Sequence, residues 1–239
     1  CKKRIGFYLL LLMVKNKFSK YANASFSLFY AYVFYFDYKL SETHQLTPPV
    51  PGVYVSKFVW LTMVNLLVQW LYHTTAAILT LGKRQSRALM AKFHFISTAI
   101  AFPASLTVVV LFWTLYLLDP GTLATKETRI IFDIKWFNHA MHTFPLFAML
   151  VDFSIWHHHR PSKRAALMAT ALFSLFYIAL IHYFFVRFNF WAYPILGNLS
   201  FGGRALFLLF CTVFMFCAFV IGDAFNKLLH SLNRGRKAL

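Results

Sequence analysis

The chain has 239 residues, 59% hydrophobic, 20% aromatic and only 13% charged, with a mean hydropathy of +0.59. A soluble domain is nearer a quarter charged, so an ordinary water-soluble fold is excluded. The formal net charge of +17 suggests nucleic acid at first. However, the basic residues sit in short clusters between apolar runs, as membrane insertion requires. No nucleic-acid partner is expected, and anionic lipid headgroups are the expected partners of those clusters.

A membrane-spanning helix needs about 20 mostly apolar residues. Six such runs are read in chain order, at 21–38, 58–81, 94–118, 138–156, 165–186 and 205–228. Ile5–Val14 is apolar but too short to span, and is expected at the interface or at the start of a helix. The expected architecture is all-α, a polytopic membrane helical bundle of about six transmembrane helices. Residues 1–20 form a basic and apolar N-terminal segment, 21–230 the transmembrane domain, and 231–239 a basic tail.

The charges alternate from loop to loop. One side gathers Lys2, Lys3, Arg4, Lys15, Lys17 and Lys20, then Lys83, Arg84, Arg87 and Lys92. Arg160, Lys163, Arg164, Lys227, Arg234, Arg236 and Lys237 join them. The other side has far fewer, among them Lys57, Lys135 and Arg204. The positive-inside rule then places both termini in the cytosol. The protein is expected to be multi-pass, in the endoplasmic reticulum or the plasma membrane.

In that topology, spans two and four both run from outside to inside. Thr62 and His142 each fall roughly 7 Å below the outer boundary at 1.5 Å per residue. A hydroxyl is a poor nucleophile until a neighbouring base takes its proton, so a Thr and a His at one depth suggest acyl-transfer chemistry. The bland reading is a threonine bonded to its own helix and an interfacial histidine in water. A carboxylate that orients the imidazole is not evident, because none of the seven acids is read inside the outer half of a span. Asn65, on the Thr62 face of its helix, and Asn138, four residues before His142, are candidate supports. Asp152 and Asp223 are expected to pair with basic residues or helix ends at the inner interface. The tract His157–His159 is expected to face headgroups, with metal binding the lesser reading. Asn198-Leu199-Ser200 is a glycosylation sequon on the outer side. Cys1, Cys211 and Cys217 set no disulfide or zinc pattern.

Several segments together resemble a known family. Trp136-Phe137-Asn138-His139-Ala140-Met141-His142-Thr143 is similar to a signature of the androgen-induced gene 1 protein and androgen-dependent TFPI-regulating protein family. Thr62-Met63-Val64-Asn65, Ala101-Phe102-Pro103, Phe112-Trp113, Pro161-Ser162, Trp191-Ala192-Tyr193-Pro194 and Gly222-Asp223 follow in the family order. The resemblance covers about residues 20–230. It implies a multi-pass threonine hydrolase of fatty acid esters of hydroxy fatty acids, with Thr62 as nucleophile, His142 as base and no cofactor. His139 joins Asn65 and Asn138 as a supporting candidate. The lipid substrate would be a branched ester whose carboxylate meets Lys57, Lys135 or Arg204. Residues 1–20 have no counterpart, and His182 lies on no family motif. Two other classes stay open: a non-enzymatic membrane adaptor or regulator, and a haem protein using His142 and His182.

Overall fold

The computed structural model describes residues 2–43, 48–81, 85–126, 128–156 and 158–238. Its side chains are described from Ser19 to Ser231, Lys20 excepted. Lys83, Arg84, Glu127 and His157 lie outside the described residues. Among the described residues there is no strand. The helices are α1 (Lys2–Glu42), α2 (Leu61–Leu79), α3 (Arg87–Ile96), α4 (Phe102–Leu118), α5 (Ile130–Asp133) and α6 (Lys135–His142). They continue with α7 (Phe144–Ile155), α8 (Lys163–Phe188), α9 (Pro194–Asn198) and α10 (Phe201–Ala238).

Among the described residues, three helical stretches are long and apolar enough to cross a membrane: Arg87–Leu118, Lys163–Phe188 and Phe201–Ser231. The first joins α3 to α4 through a π-turn at Ser97–Ala101. Its apolar window is 61% buried, against 17% and 22% for the other two, so it is the central helix of the bundle. The outward faces of α8 and α10 carry exposed Leu172, Phe176, Leu206 and Phe210, a surface suited to lipid. Helix α2 is less apolar because it buries Asn65, Gln69 and His73, while Leu71 and Ile78 stay exposed.

Two expectations change at the segment ends, whereas Ile5–Val14 does lie at the start of a helix, because α1 runs unbroken from Lys2 to Glu42. The second apolar run is not one helix. Its first residues belong to a 3₁₀ turn, Tyr54–Val59, and Trp60 is extended before α2 begins. The fourth run breaks at Thr143, ahead of Pro145. Proline has no N–H to donate and is tolerated in the first turn of a helix, so α7 restarts there. Thr62 is thus the second residue of α2, and His142 the last residue of α6. Breaks of this kind are tolerated at membrane depth where the backbone lines a cavity or is buried in protein.

Packing fixes the arrangement around these breaks. Helices α1, α2, α6 and α7 share a core of Tyr30, Val33, Met63, Leu66, Phe137 and Met141. A second core joins α2, α3, α4 and α7 through Tyr72, Phe93, Phe102, Met149 and Phe153. Helix α10 crosses α4 closely at Gly222, where a Cβ would sit 2.6 Å from the Phe102 ring. Phe102 is fully packed, so only glycine allows that approach. Ser86 and Ser162 cap α3 and α8 by accepting hydrogen bonds from Leu89 N–H and Ala165 N–H. Each satisfies a backbone donor that has no partner within its helix.

Candidate active site

A cavity of about 170 Å³ opens among α2, α4, α6, α8 and α10. Its walls are mostly apolar, with Val108, Leu111, Phe173, Ile178, Phe207 and Leu208 among them. Leu123, Ala124, Thr128, Ile131 and Phe132 from the segment between α4 and α6 line one end. The polar groups that border it include Thr62, His142, Thr107, Tyr177 and Tyr193. Thr62 and His142 therefore face one space, and α2 packs against α6 beside it.

The state of His142 follows from its partners. Its Nδ1 lies 3.0 Å from the Asn138 backbone carbonyl and 2.7 Å from Asn138 Oδ1. A carbonyl oxygen can only accept, so Nδ1 carries a proton and donates it. In the neutral ring the basic lone pair is then on Nε2. No described residue bonds Nε2. The ring is pinned flat on Phe112, with centroids 3.5 Å apart and planes 2° from parallel. One orientation of the base is thereby set by α4 on one side and by its own helix on the other.

Thr62 sits where α2 starts, and three groups from other elements hold that start in place. Trp60 Nε1 donates to the Ala192 carbonyl at 2.8 Å. Leu61 N–H donates to both the Tyr177 and Tyr193 hydroxyls, each at 3.0 Å. Tyr177 in turn donates to the Val59 carbonyl at 3.0 Å. The half-buried Thr62 follows directly.

The other sequence candidates divide. Asn138 takes the orienting place beside His142. Asn65 is fully buried one turn along α2, receiving Gln69 Nε2 and Ser105 Oγ on its carbonyl oxygen at 3.4 Å each. It does not line the cavity. His139 is exposed and bonded to Thr143 Oγ1, against Trp113, so it turns away from the site. Lys57 is not a free cation at a rim. It is completely buried, donating to both Asp37 oxygens at 2.9 Å and to Ser41 Oγ at 2.7 Å. Burial pulls its ammonium below the usual lysine range, and Asp37 pulls it back up. Arg204 donates to the Leu196 and Leu199 carbonyls and stacks over Trp191. Lys135 remains exposed.

Asp37 corrects a second expectation. An acid does border the cavity from the far end of α1, but it is taken up by Lys57 and the Tyr54 hydroxyl. An asparagine, not a carboxylate, orients the imidazole. The two histidines proposed as haem ligands are also not brought together. His182 bonds the Ile178 carbonyl and meets Trp191 edge-on, outside the cavity. Sequence reasoning missed the roles of Tyr177 and Tyr193. Tyr193 lies in the Trp-Ala-Tyr-Pro motif, so a signal was present.

The opposite end of the bundle has a different polar cluster. His158 Nε2 donates to Asp152 Oδ2 at 2.8 Å, and the Tyr72 hydroxyl donates to the same oxygen at 2.7 Å. His158 Nδ1 meets His94 Nδ1 at 3.0 Å. His158 is wholly buried, so this histidine does not face headgroups. Asn226 donates to its carbonyl, and Arg160 pairs with Asp223 through two hydrogen bonds. Among the described residues no group of three or more His, Cys, Asp or Glu is placed to hold a metal.

Fold and site together define a helical membrane protein whose helix breaks carry a threonine and an oriented histidine into one apolar cavity. The chain belongs to the family described as FAR-17a/AIG1-like protein, which matches residues 18–227. It is 29% identical to the human androgen-dependent TFPI-regulating protein over 176 residues, 72% of this chain and 76% of that one. It is 27% identical to the human androgen-induced gene 1 protein over 191 residues, 75% of this chain and 80% of that one. The golden hamster (Mesocricetus auratus) androgen-dependent TFPI-regulating protein is 27% identical over 172 residues, 70% of this chain and 74% of that one. No solved structure matches the chain.

Proposed function

We propose that the protein is an intramembrane hydrolase of fatty acid esters of hydroxy fatty acids, using Thr62 as nucleophile and His142 as base. The observation that carries this reading is the shared cavity, into which Thr62 and His142 both project while Asn138 holds the imidazole proton on Nδ1. In the first step Thr62 Oγ1 attacks the ester carbonyl carbon as its proton passes to His142 Nε2. The tetrahedral intermediate then collapses, and the hydroxy fatty acid leaves with that proton. A water molecule, deprotonated by His142, next attacks the acyl-Thr62 ester and releases the fatty acid. No cofactor enters either step.

The proposed topology has six spans, with both termini in the cytosol. Helix α1, helix α2 and the α6–α7 pair supply three spans beside the three long apolar ones. The cavity then opens towards the outer leaflet, and a lipid reaches Thr62 without leaving the membrane. Its apolar walls suit two acyl chains. Lys57 and Arg204 are engaged elsewhere. Exposed Lys135 and half-buried Arg129, next to cavity-lining Thr128, are the cations proposed to meet a substrate carboxylate.

The test is hydrolysis by purified protein in nanodiscs. It compares a free-acid hydroxy-fatty-acid ester, its methyl ester, a triacylglycerol and a phospholipid, with Thr62→Ala as control. The expected result is preference for the free-acid branched ester and no turnover by the control. Faster cleavage of triacylglycerol or phospholipid would overturn the substrate. Full activity of the control would overturn the nucleophile.

A further inference from the structure

Acyl transfer at Thr62 creates a negative oxygen that a low-dielectric cavity cannot leave unpaired. Stabilising that oxygen is usually the largest electrostatic contribution to such reactions. The obvious donors are the backbone N–H groups at the start of α2, beside Thr62. They are already engaged. Leu61 N–H is divided between the Tyr177 and Tyr193 hydroxyls, and Thr62 N–H is also directed at the Tyr193 hydroxyl. Met63 N–H is bonded to the Trp60 carbonyl.

The two tyrosines differ in where their own protons go. Tyr177 donates to the Val59 carbonyl at 3.0 Å, so its hydroxyl is engaged as both acceptor and donor. Tyr193 accepts backbone donors, and its own proton goes to no described carbonyl but has the Tyr177 and Thr62 hydroxyl oxygens within reach. Its hydroxyl borders the cavity and lies beside the Thr62 side chain. The ring is held by extended backbone ahead of Pro194 and by the Trp60 bond to the preceding residue, Ala192. Burial raises Tyr193 above the ordinary tyrosine range, so it stays protonated, although its hydrogen bonds with Tyr177, Leu61 and Thr62 oppose the rise.

We infer that Tyr193 is a further catalytic residue, the hydrogen-bond donor to the oxyanion formed when Thr62 attacks the ester. This rests on the proposed hydrolase reading and adds the electrophilic half of the site. As Thr62 Oγ1 bonds to the carbonyl carbon, the π-electron pair moves onto the carbonyl oxygen. Tyr193 donates a hydrogen bond to that oxygen and keeps its proton. The Leu61 and Thr62 N–H groups stabilise the charge drawn onto the tyrosine oxygen. The positive end of α2 therefore acts on the substrate through the phenol. On collapse the electron pair returns to the carbonyl, and the Tyr193 hydroxyl goes back to the Thr62 side.

The test measures kcat and KM for Tyr193→Phe, Tyr177→Phe and Thr62→Ala with a hydroxy-fatty-acid ester. Removing one oxyanion donor costs about 10²–10³-fold in kcat, so Tyr193→Phe is expected to lose that much with KM nearly unchanged. Tyr177→Phe should stay within about tenfold of wild type, because its hydroxyl already donates to Val59. If Tyr193→Phe does not fold, 3,5-difluorotyrosine at position 193 keeps ring and hydroxyl but makes the phenol more acidic. The alkaline limb of its kcat–pH profile should then move to lower pH. Tyr193→Phe within threefold of wild type, or an unmoved alkaline limb, with Thr62→Ala inactive, overturns the Tyr193 role and leaves the nucleophile standing. An active Thr62→Ala overturns the underlying reading.

Discussion

The two ends of this bundle use the same kinds of side chain differently. At the cavity end, His142 has one nitrogen bonded to Asn138 while no described residue bonds the other, and the ring borders open space. At the opposite end, His158 has both nitrogens engaged, by Asp152 and His94, and the ring is completely buried. A histidine bonded on both sides cross-braces α2, α3, α7 and α10, whereas one with a free basic nitrogen in a cavity can move a proton. Partner count and space, not residue type, distinguish chemistry from architecture here.

The strongest way to break this contrast is to remove the proposed reacting pair. Thr62→Ala and His142→Ala should each reduce kcat by ~10³-fold or more, and the double variant should lose no more than either alone, because the residues act as a unit. Thr62→Ser should keep part of the activity. Initial rates on an ester substrate check all four. Their melting temperatures in detergent should stay close to wild type.

Asp152→Ala should do the reverse. It leaves the Tyr72 hydroxyl and His158 N–H without their acceptor in a dry interior, at a cost on the order of 3 kcal/mol. Thermal unfolding should show that loss, with kcat per folded molecule within about threefold of wild type. Combined with Thr62→Ala, the stability effects should simply add, as expected for distant sites with no shared partner.

Asn138→Ala sharpens the comparison from the cavity side. It removes the side-chain acceptor but leaves the Asn138 backbone carbonyl to hold Nδ1. The expected loss is about 10–100-fold in kcat, the scale found when groups that orient metal-bound imidazoles are removed. Asn138→Asp, which keeps an acceptor, should recover part of it. The smallest effect should come from His139→Ala, whose side chain faces Thr143 and Trp113. Its rate should stay within threefold of wild type.

The helical architecture was legible because apolar runs report it directly. Three of the six predicted spans correspond to helices that are both long and apolar enough to cross a membrane. The placement of Thr62 and His142 was legible only in outline. Straight helices put both at one depth, but the shared cavity arises from breaks at Trp60 and Thr143. Pro145 signals the second break, and no local residue signals the first. Nor does sequence show which polar groups are already paired. Lys57 reads as an interfacial cation, and only packing reveals Asp37 from another helix beside it. His158 reads as part of a surface tract for the same reason. The Tyr193 hydroxyl reaches Leu61 across 132 positions of chain, a contact that periodicity cannot anticipate.

The central claim is that Thr62 becomes covalently acylated by a lipid ester while His142 accepts its proton. The direct measurement is mass spectrometry of peptides from protein quenched during turnover of an ester with an isotopically labelled acyl group. The account predicts the labelled acyl mass on the peptide that contains Thr62, its absence in Thr62→Ala and its strong reduction in His142→Ala. An acyl mass on another residue, or undiminished hydrolysis by Thr62→Ala, would contradict it.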